Sequence, residues 1–136
     1  MKAKITWVNG RAFMAESGSG HAIIVDGAPE FGGRNLGPRP MELLLLGLGS
    51  CTAFDVVMIL EKAREKVTGC EVSLEGERAS EDPKVFTKVK LVYTFKGENL
   101  KPAAVERAIQ LSKEKYCSAS IMFEKTATLE HEWRIV

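Results

Sequence analysis

The first 26 residues alternate apolar and polar positions with the period of two that is typical of β-strands. The first apolar set is Ala3, Ile5 and Trp7. Asn9-Gly10 follows directly and is a strong signal for a tight hairpin. We therefore predict a half-buried strand before this turn, a return strand over 11–16 and a third strand over 21–26.

Between Pro40 and Gly69 the period becomes helical. Pro40 suits the first turn of a helix, and Gly69 suits its end. No charged residue interrupts the 12 residues Leu43–Phe54, so we predict a long central helix that is buried on every side over this stretch. The uncharged stretch is shorter than the roughly 20 residues a bilayer span needs. A small chain cannot easily wrap such a helix alone, so we expect a second copy of the chain to cover it.

After Gly69 the period of two returns, and strands are predicted over 70–77 and 85–95. Pro102 begins a second helix that we expect to run to about Tyr116. A short helical turn over 121–123 follows, with Ser118 or Ser120 as its cap. A final strand is predicted over 126–136. The order βββ–α–ββ–α(α)–β indicates an α+β fold with antiparallel sheets, in a single domain over residues 1–136.

Composition excludes several classes of function. The net charge is +1 and no basic block is interleaved with aromatic residues, so we expect no nucleic-acid partner. The N-terminus lacks the apolar run of a signal peptide, so a cytoplasmic location without a membrane partner is expected. The three cysteines are too few for a disulfide framework, and Cys-x-x-Cys and His-x-x-x-His spacings are absent. We therefore expect neither a metal site nor a cofactor.

Two of the cysteines are candidates for redox chemistry. Cys51 lies in the buried half of the central helix near Gly47 and Gly49. Each glycine costs a helix about 1 kcal/mol, so we expect something to approach the backbone there. Cys117 lies between two helices, where the N-terminus of the second would lower its pKa. One thiol can then react and the other trap its sulfenic acid.

Packing is the competing interpretation for a buried cysteine, and we apply it to Cys70. Asp55 lies one helical turn beyond Cys51. A carboxylate there would raise the pKa of the thiol, so we expect Asp55 to pair with an arginine or cap a neighbouring segment.

The segment from Pro40 to Cys51, together with Lys115-Tyr-Cys117-Ser118, resembles the OsmC/Ohr family of thiol-dependent peroxidases, and its YhfA-like branch in particular. The resemblance implies an intertwined homodimer with its active sites at the interface. It further implies a reaction in which Cys51 attacks an organic hydroperoxide, Cys117 resolves the sulfenic acid as a disulfide, and an external dithiol reduces that disulfide.

The family also uses a glutamate and an arginine beside the reactive thiolate. The glutamate normally follows the motif proline, but Met41 stands there, which makes Glu42 the candidate. Arg11 is the candidate arginine because it lies near the first hairpin, with Arg34 and Arg39 as alternatives. Two other functions stay open: a non-catalytic dimer that binds an apolar small molecule, and a redox sensor that signals through the same disulfide.

Overall fold

The computed structural model describes all residues from Met1 to Val136 and divides into two compact units, 1–44 and 45–136. The strands are β1 (Ala3–Asn9), β2 (Ala12–Ser17), β3 (Ala22–Val25), β4 (Lys66–Arg78), β5 (Phe86–Glu98) and β6 (Thr128–Ile135). The helices are α1 (Pro40–Lys62), α2 (Pro102–Leu111) and α3 (Ser118–Phe123), with a π-helical turn at Ser112–Tyr116 and a 3₁₀ turn at Pro29–Phe31. The α+β fold with one long helix is as predicted, whereas the single domain over 1–136 stays a prediction.

In the N-terminal unit, β1, β2 and β3 form an antiparallel sheet in sequence order. Gly10 takes the left-handed conformation that the predicted hairpin needs, with φ of +54°. The prediction that β1 is half-buried is wrong for the single chain, because every residue of β1 is exposed. Trp7, for example, keeps 65% of its surface accessible.

The loop between β3 and α1 is organised by the buried carboxylate of Asp26. This carboxylate accepts hydrogen bonds from the backbone N–H groups of Gly27 (2.7 Å), Arg34 (3.1 Å) and Leu36 (3.2 Å). Burial pushes the pKa of Asp26 up, but the three backbone bonds and the charge of Arg34 outweigh it and lower the pKa. The loop therefore has a fixed polar centre despite its irregular sequence.

Helix α1 begins at Pro40, as predicted, and Glu42 Oε1 accepts the Arg39 backbone N–H (2.8 Å). It ends at Lys62 and not near Gly69. The chain leaves it through Arg64, whose φ of +61° breaks the helical backbone. The residues up to Gly69 then belong to β4.

One face of α1 is buried. It consists of residues at intervals of four positions: Leu48, Thr52, Val56 and Leu60. The prediction that α1 is buried on every side is not met by one chain, because Leu46 is 58% and Phe54 70% exposed. By length and composition α1 is apolar enough to cross a membrane. One such helix is weak evidence, because core helices of soluble proteins meet the same criteria.

In the C-terminal unit, β5 is the central strand of a three-stranded sheet. The pairing of β4 with β5 is antiparallel, but β5 and β6 are parallel, which differs from the wholly antiparallel prediction. The helical segment 102–123 between them is long enough for the crossover that parallel strands require. On the core face of β5, the side chains are fully buried: Val89, Leu91, Tyr93 and Phe95.

Helix α2 packs Val105, Ala108 and Ile109 into the core. Helical backbone continues to Tyr116, as predicted, but its last turn, Ser112–Tyr116, is π-helical and not α-helical. This turn ends at a bond from the Cys117 N–H to the Ser112 carbonyl (2.8 Å). π-Helical turns are frequent at functional sites, and this one places Cys117 directly after its last residue.

Candidate functional site

Cys51 and Cys117 are 66 positions apart in the sequence but lie side by side in the C-terminal unit. Both cysteines are free thiols. Their sulfur atoms and a carboxylate oxygen of Asp55 all lie within 4.8 Å of one another. Disulfide formation therefore requires only a small movement of the two side chains.

Cys117 is fully buried at the point where the π-helical turn meets α3. Its sulfur accepts the Ser120 backbone N–H (3.3 Å), so Cys117 itself caps α3, and the prediction of Ser118 or Ser120 as the cap is wrong. Burial raises the pKa of Cys117 more than the bonds to Ser120 lower it, and the neighbouring Cys51 raises it further. The predicted lowering of this pKa is also wrong, because desolvation outweighs the effect of the helix terminus. Cys117 is therefore held as a protonated thiol.

A chain of side-chain hydrogen bonds leads from Asp55 into the core. Ser112 Oγ donates to Asp55 Oδ2 at 3.3 Å. Thr52 Oγ1 lies 3.0 Å from Ser112 Oγ and 2.9 Å from the Tyr93 hydroxyl, which lies 3.1 Å from His131 Nδ1. Each hydroxyl has one proton to donate, so a carboxylate acceptor at one end sets the direction of every bond. Thr52 then donates to Ser112, Tyr93 to Thr52, and His131 Nδ1–H to Tyr93.

The far end of this chain holds a neutral histidine. Burial, followed by the charge of Lys113, lowers the pKa of His131 to about 4. Burial raises the pKa of Tyr93 to about 12, against a lowering by its bond with Thr52. The chain thus consists of neutral groups except for Asp55, and it fixes the Nδ1–H tautomer of His131.

Comparison with known proteins identifies the family. Residues 32–132 match the family model described as "OsmC-like protein". Protein YhfA of Escherichia coli (strain K12) is 45% identical over 136 residues, covering 100% of this chain and 98% of its own length. The chain belongs to the OsmC family.

Solved structures agree with this assignment. A hypothetical protein from Aquifex aeolicus VF5 superposes with a TM-score of 0.87 and 30% identity, covering 99% of this chain and 95% of its own. An organic hydroperoxide resistance protein OsmC from Legionella pneumophila gives a TM-score of 0.74 at 17% identity, covering 97% and 94%. At that identity the likeness shows a shared OsmC fold.

The two glycines before Cys51 have different surroundings in this OsmC chain. A Cβ at Gly49 would lie 2.6 Å from Leu74 Cδ1, so the Leu74 side chain of β4 packs against the helix backbone there. A Cβ at Gly47 would meet nothing within 4 Å. The prediction that something approaches the backbone is thus correct for Gly49 only.

The predicted supporting charges, Arg11 and Glu42, belong to the N-terminal unit. Arg11 is exposed and lies against Gly27 and Gly32. Arg39 donates to the Asn35 side chain at 2.7 Å, and Arg34 donates to the side chain of Asn9. The catalytic roles of Arg11 and Glu42 stay predictions.

Sequence reasoning missed the polar chain behind Asp55. Thr52 was the available signal, because it is a polar residue at a central position of an apolar helix. Its partners Tyr93, Ser112 and His131 come from three other segments, so no local motif contains them. Asp55 itself was expected to pair with an arginine or cap a segment, but its hydrogen-bond donor is the hydroxyl of Ser112.

Proposed function

We propose that this OsmC-family protein is a thiol-dependent peroxidase that reduces organic hydroperoxides. The Cys51 thiolate attacks the distal peroxide oxygen, the O–O bond breaks, and the leaving alkoxide takes a proton to become an alcohol. Cys51 is then a sulfenic acid. The Cys117 thiol condenses with it, forming the disulfide and releasing water. An external dithiol reduces the disulfide, so each cycle converts one hydroperoxide and one dithiol into an alcohol, water and one oxidised dithiol.

The observation that carries this proposal is the proximity of the Cys51 and Cys117 sulfurs, within 4.8 Å. The surroundings favour Cys51 as the thiol that meets the peroxide, because it is partly accessible whereas Cys117 is fully buried. A buried, protonated Cys117 cannot compete for the oxidant, but it can supply the proton that turns the sulfenic hydroxyl into water. The organic hydroperoxide resistance protein OsmC from Legionella pneumophila, which shares this fold, favours the same substrate class.

The test is consumption of dithiothreitol in the presence of cumene hydroperoxide. We expect Cys51→Ser to abolish turnover, and Cys117→Ser, treated with peroxide in the absence of dithiothreitol, to stop at the Cys51 sulfenic acid after one reaction. Cys70→Ser is the matched control, since Cys70 lies on β4 outside the cluster, and it should keep full turnover. Activity that survives Cys51→Ser would overturn the proposal.

We also propose that the working form is a homodimer. Large apolar side chains stay exposed in the single chain on both units: Ile5, Trp7, Leu44, Leu46, Phe54 and Met122. Monomeric soluble proteins rarely expose large contiguous apolar patches, and a second copy would bury the face of α1 that carries Leu46 and Phe54. Sedimentation equilibrium at micromolar concentration should give twice the chain mass of 15.0 kDa, and a strictly monomeric profile would contradict the dimer.

A non-catalytic dimer that binds an apolar small molecule is the second candidate, and the exposed Phe54, Tyr116 and Met122 in the C-terminal unit favour it. It predicts that an alkyl probe such as a fatty acid binds equally well to the parent protein and to Cys51→Ser. It also predicts no peroxide turnover. Rapid formation of the Cys51–Cys117 disulfide with one equivalent of peroxide would exclude it.

A further inference from the structure

The two thiols and Asp55 form a cluster with a chemistry beyond peroxide reduction. Cys51 Sγ, Cys117 Sγ and one carboxylate oxygen of Asp55 lie within 4.8 Å of one another, at the edge of the core. We propose that in the reduced protein these three side chains bind one thiophilic divalent cation of the Zn²⁺ class, with water as the fourth ligand. This proposal does not depend on the peroxidase function.

The ligand spacing fits such an ion. Zn²⁺ takes sulfur at about 2.3 Å and carboxylate oxygen at about 2.0–2.2 Å. Tetrahedral geometry then separates two sulfurs by roughly 3.8 Å, and a sulfur and an oxygen by roughly 3.5 Å. The three ligand atoms already lie within 4.8 Å of one another. Side-chain rotations that bring them about 1 Å closer together would therefore complete the site.

The charges also fit. Two cysteines and a carboxylate converge here, and each would carry a negative charge as a metal ligand. Binding releases the two thiol protons, and the cation then cancels two of the three negative charges. The donor set of two sulfurs and one oxygen favours Zn²⁺ over Mg²⁺ or Ca²⁺, which require oxygen ligands.

The environment of Asp55 is that of an oriented metal ligand. Its Oδ2 accepts from Ser112 Oγ, and Ser112 is fully buried and held by Thr52 at 3.0 Å. Such secondary hydrogen bonds fix the direction in which a ligating carboxylate presents its free lone pairs. The metal-ligand spacing is invisible in the sequence because two ligands come from one turn of α1 and the third from a segment 62 positions later.

Cation binding and disulfide formation are mutually exclusive, because both use the two sulfur atoms. A bound cation would therefore block peroxide turnover and protect the thiols from oxidation. The disulfide form would release the cation. Occupancy of this site couples metal availability to the redox state of the dithiol.

The test is titration of the reduced protein with Zn²⁺ in competition with a chromogenic chelator. We expect one Zn²⁺ per chain, and an affinity at least about 10-fold weaker for Asp55→Asn and for either cysteine-to-serine variant. Cys70→Ser controls for a thiol outside the cluster, and Glu61→Gln for an exposed carboxylate on the same helix. Both controls should bind as tightly as the parent.

Co²⁺ gives an independent readout of the ligands, because a cobalt–thiolate bond produces a charge-transfer absorption band. The band should appear with the parent and with Cys70→Ser, and should not appear when Co²⁺ is added to protein already oxidised to the Cys51–Cys117 disulfide. Absence of 1:1 binding, or binding that Asp55→Asn leaves unchanged, would overturn the metal proposal. Peroxide-driven disulfide formation, measured on the metal-free protein, decides the peroxidase proposal separately.

Discussion

Replacing Thr52 with valine tests the buried polar chain that connects α1 to the segment before Cys117. Thr52 is fully buried, and its hydroxyl bonds to Tyr93 (2.9 Å) and Ser112 (3.0 Å). Valine keeps the shape but leaves the Tyr93 proton without an acceptor and Ser112 without a donor. Each buried polar group left without a hydrogen-bond partner lowers the free energy of unfolding by about 1–3 kcal/mol. Because Tyr93 retains His131 and Ser112 retains Asp55, we expect a total loss of about 2–4 kcal/mol in the free energy of unfolding.

Urea unfolding of the reduced protein, followed by circular dichroism, measures this loss. Thr68→Val is the matched control, because Thr68 is exposed on β4 and its replacement should change stability by less than about 0.5 kcal/mol. Combining Thr52→Val with Ser112→Ala should cost less than the sum of the single variants, since both remove the same bond. A loss for Thr52→Val no larger than that of Thr68→Val would refute the hydrogen-bond assignment.

Three further predictions follow from particular side chains. The folded pKa of His131, about 4, lies below its ordinary 6.5, so the unfolded chain takes up this proton first. Stability should therefore fall as the pH drops from 6.5 towards 4, and His131→Gln should flatten that slope in urea titrations. Alanine gains up to about 1 kcal/mol of helix propensity at either glycine, and at Gly47 nothing opposes that gain. At Gly49 the new Cβ would lie 2.6 Å from Leu74 Cδ1 and force that side chain to move, so Gly49→Ala should be less stable than Gly47→Ala. Equal effects in thermal melts would contradict the packing. Asp26→Ala removes the acceptor of three backbone N–H groups, so amide exchange over 27–36 should accelerate, and unchanged exchange would contradict its role.

The sequence predicted the elements well where periodicity was strong. The Asn9-Gly10 hairpin, the start of α1 at Pro40 and the strand order all follow from local signals. The end of α1 could not be predicted in this way, because the stripe of apolar residues continues from the helix into β4. Only the backbone conformation of Arg64 marks the end of the helix. The parallel pairing of β6 is set by the path of the chain through α2 and α3, which periodicity does not report.

For the site, the sequence predicted which thiols meet but not what surrounds them. Cys51 and Cys117 were recognised from their local motifs. The raised pKa of Cys117 depends on burial, and burial depends on how α1, the π-helical turn and β5 pack together. The chain from Asp55 to His131 is likewise made of side chains that only the tertiary structure brings together.

The central claim is that Cys51 and Cys117 act as one redox pair, and the most direct measurement is the intact mass and thiol count after one equivalent of cumene hydroperoxide. We expect a loss of about 2 Da, the two hydrogens of one disulfide, with Cys70 as the single remaining thiol and peptide mapping that joins Cys51 to Cys117. A lasting gain of about 16 Da on Cys51, the mass of the single oxygen of an unresolved sulfenic acid, would contradict the pairing, as would a disulfide that contains Cys70.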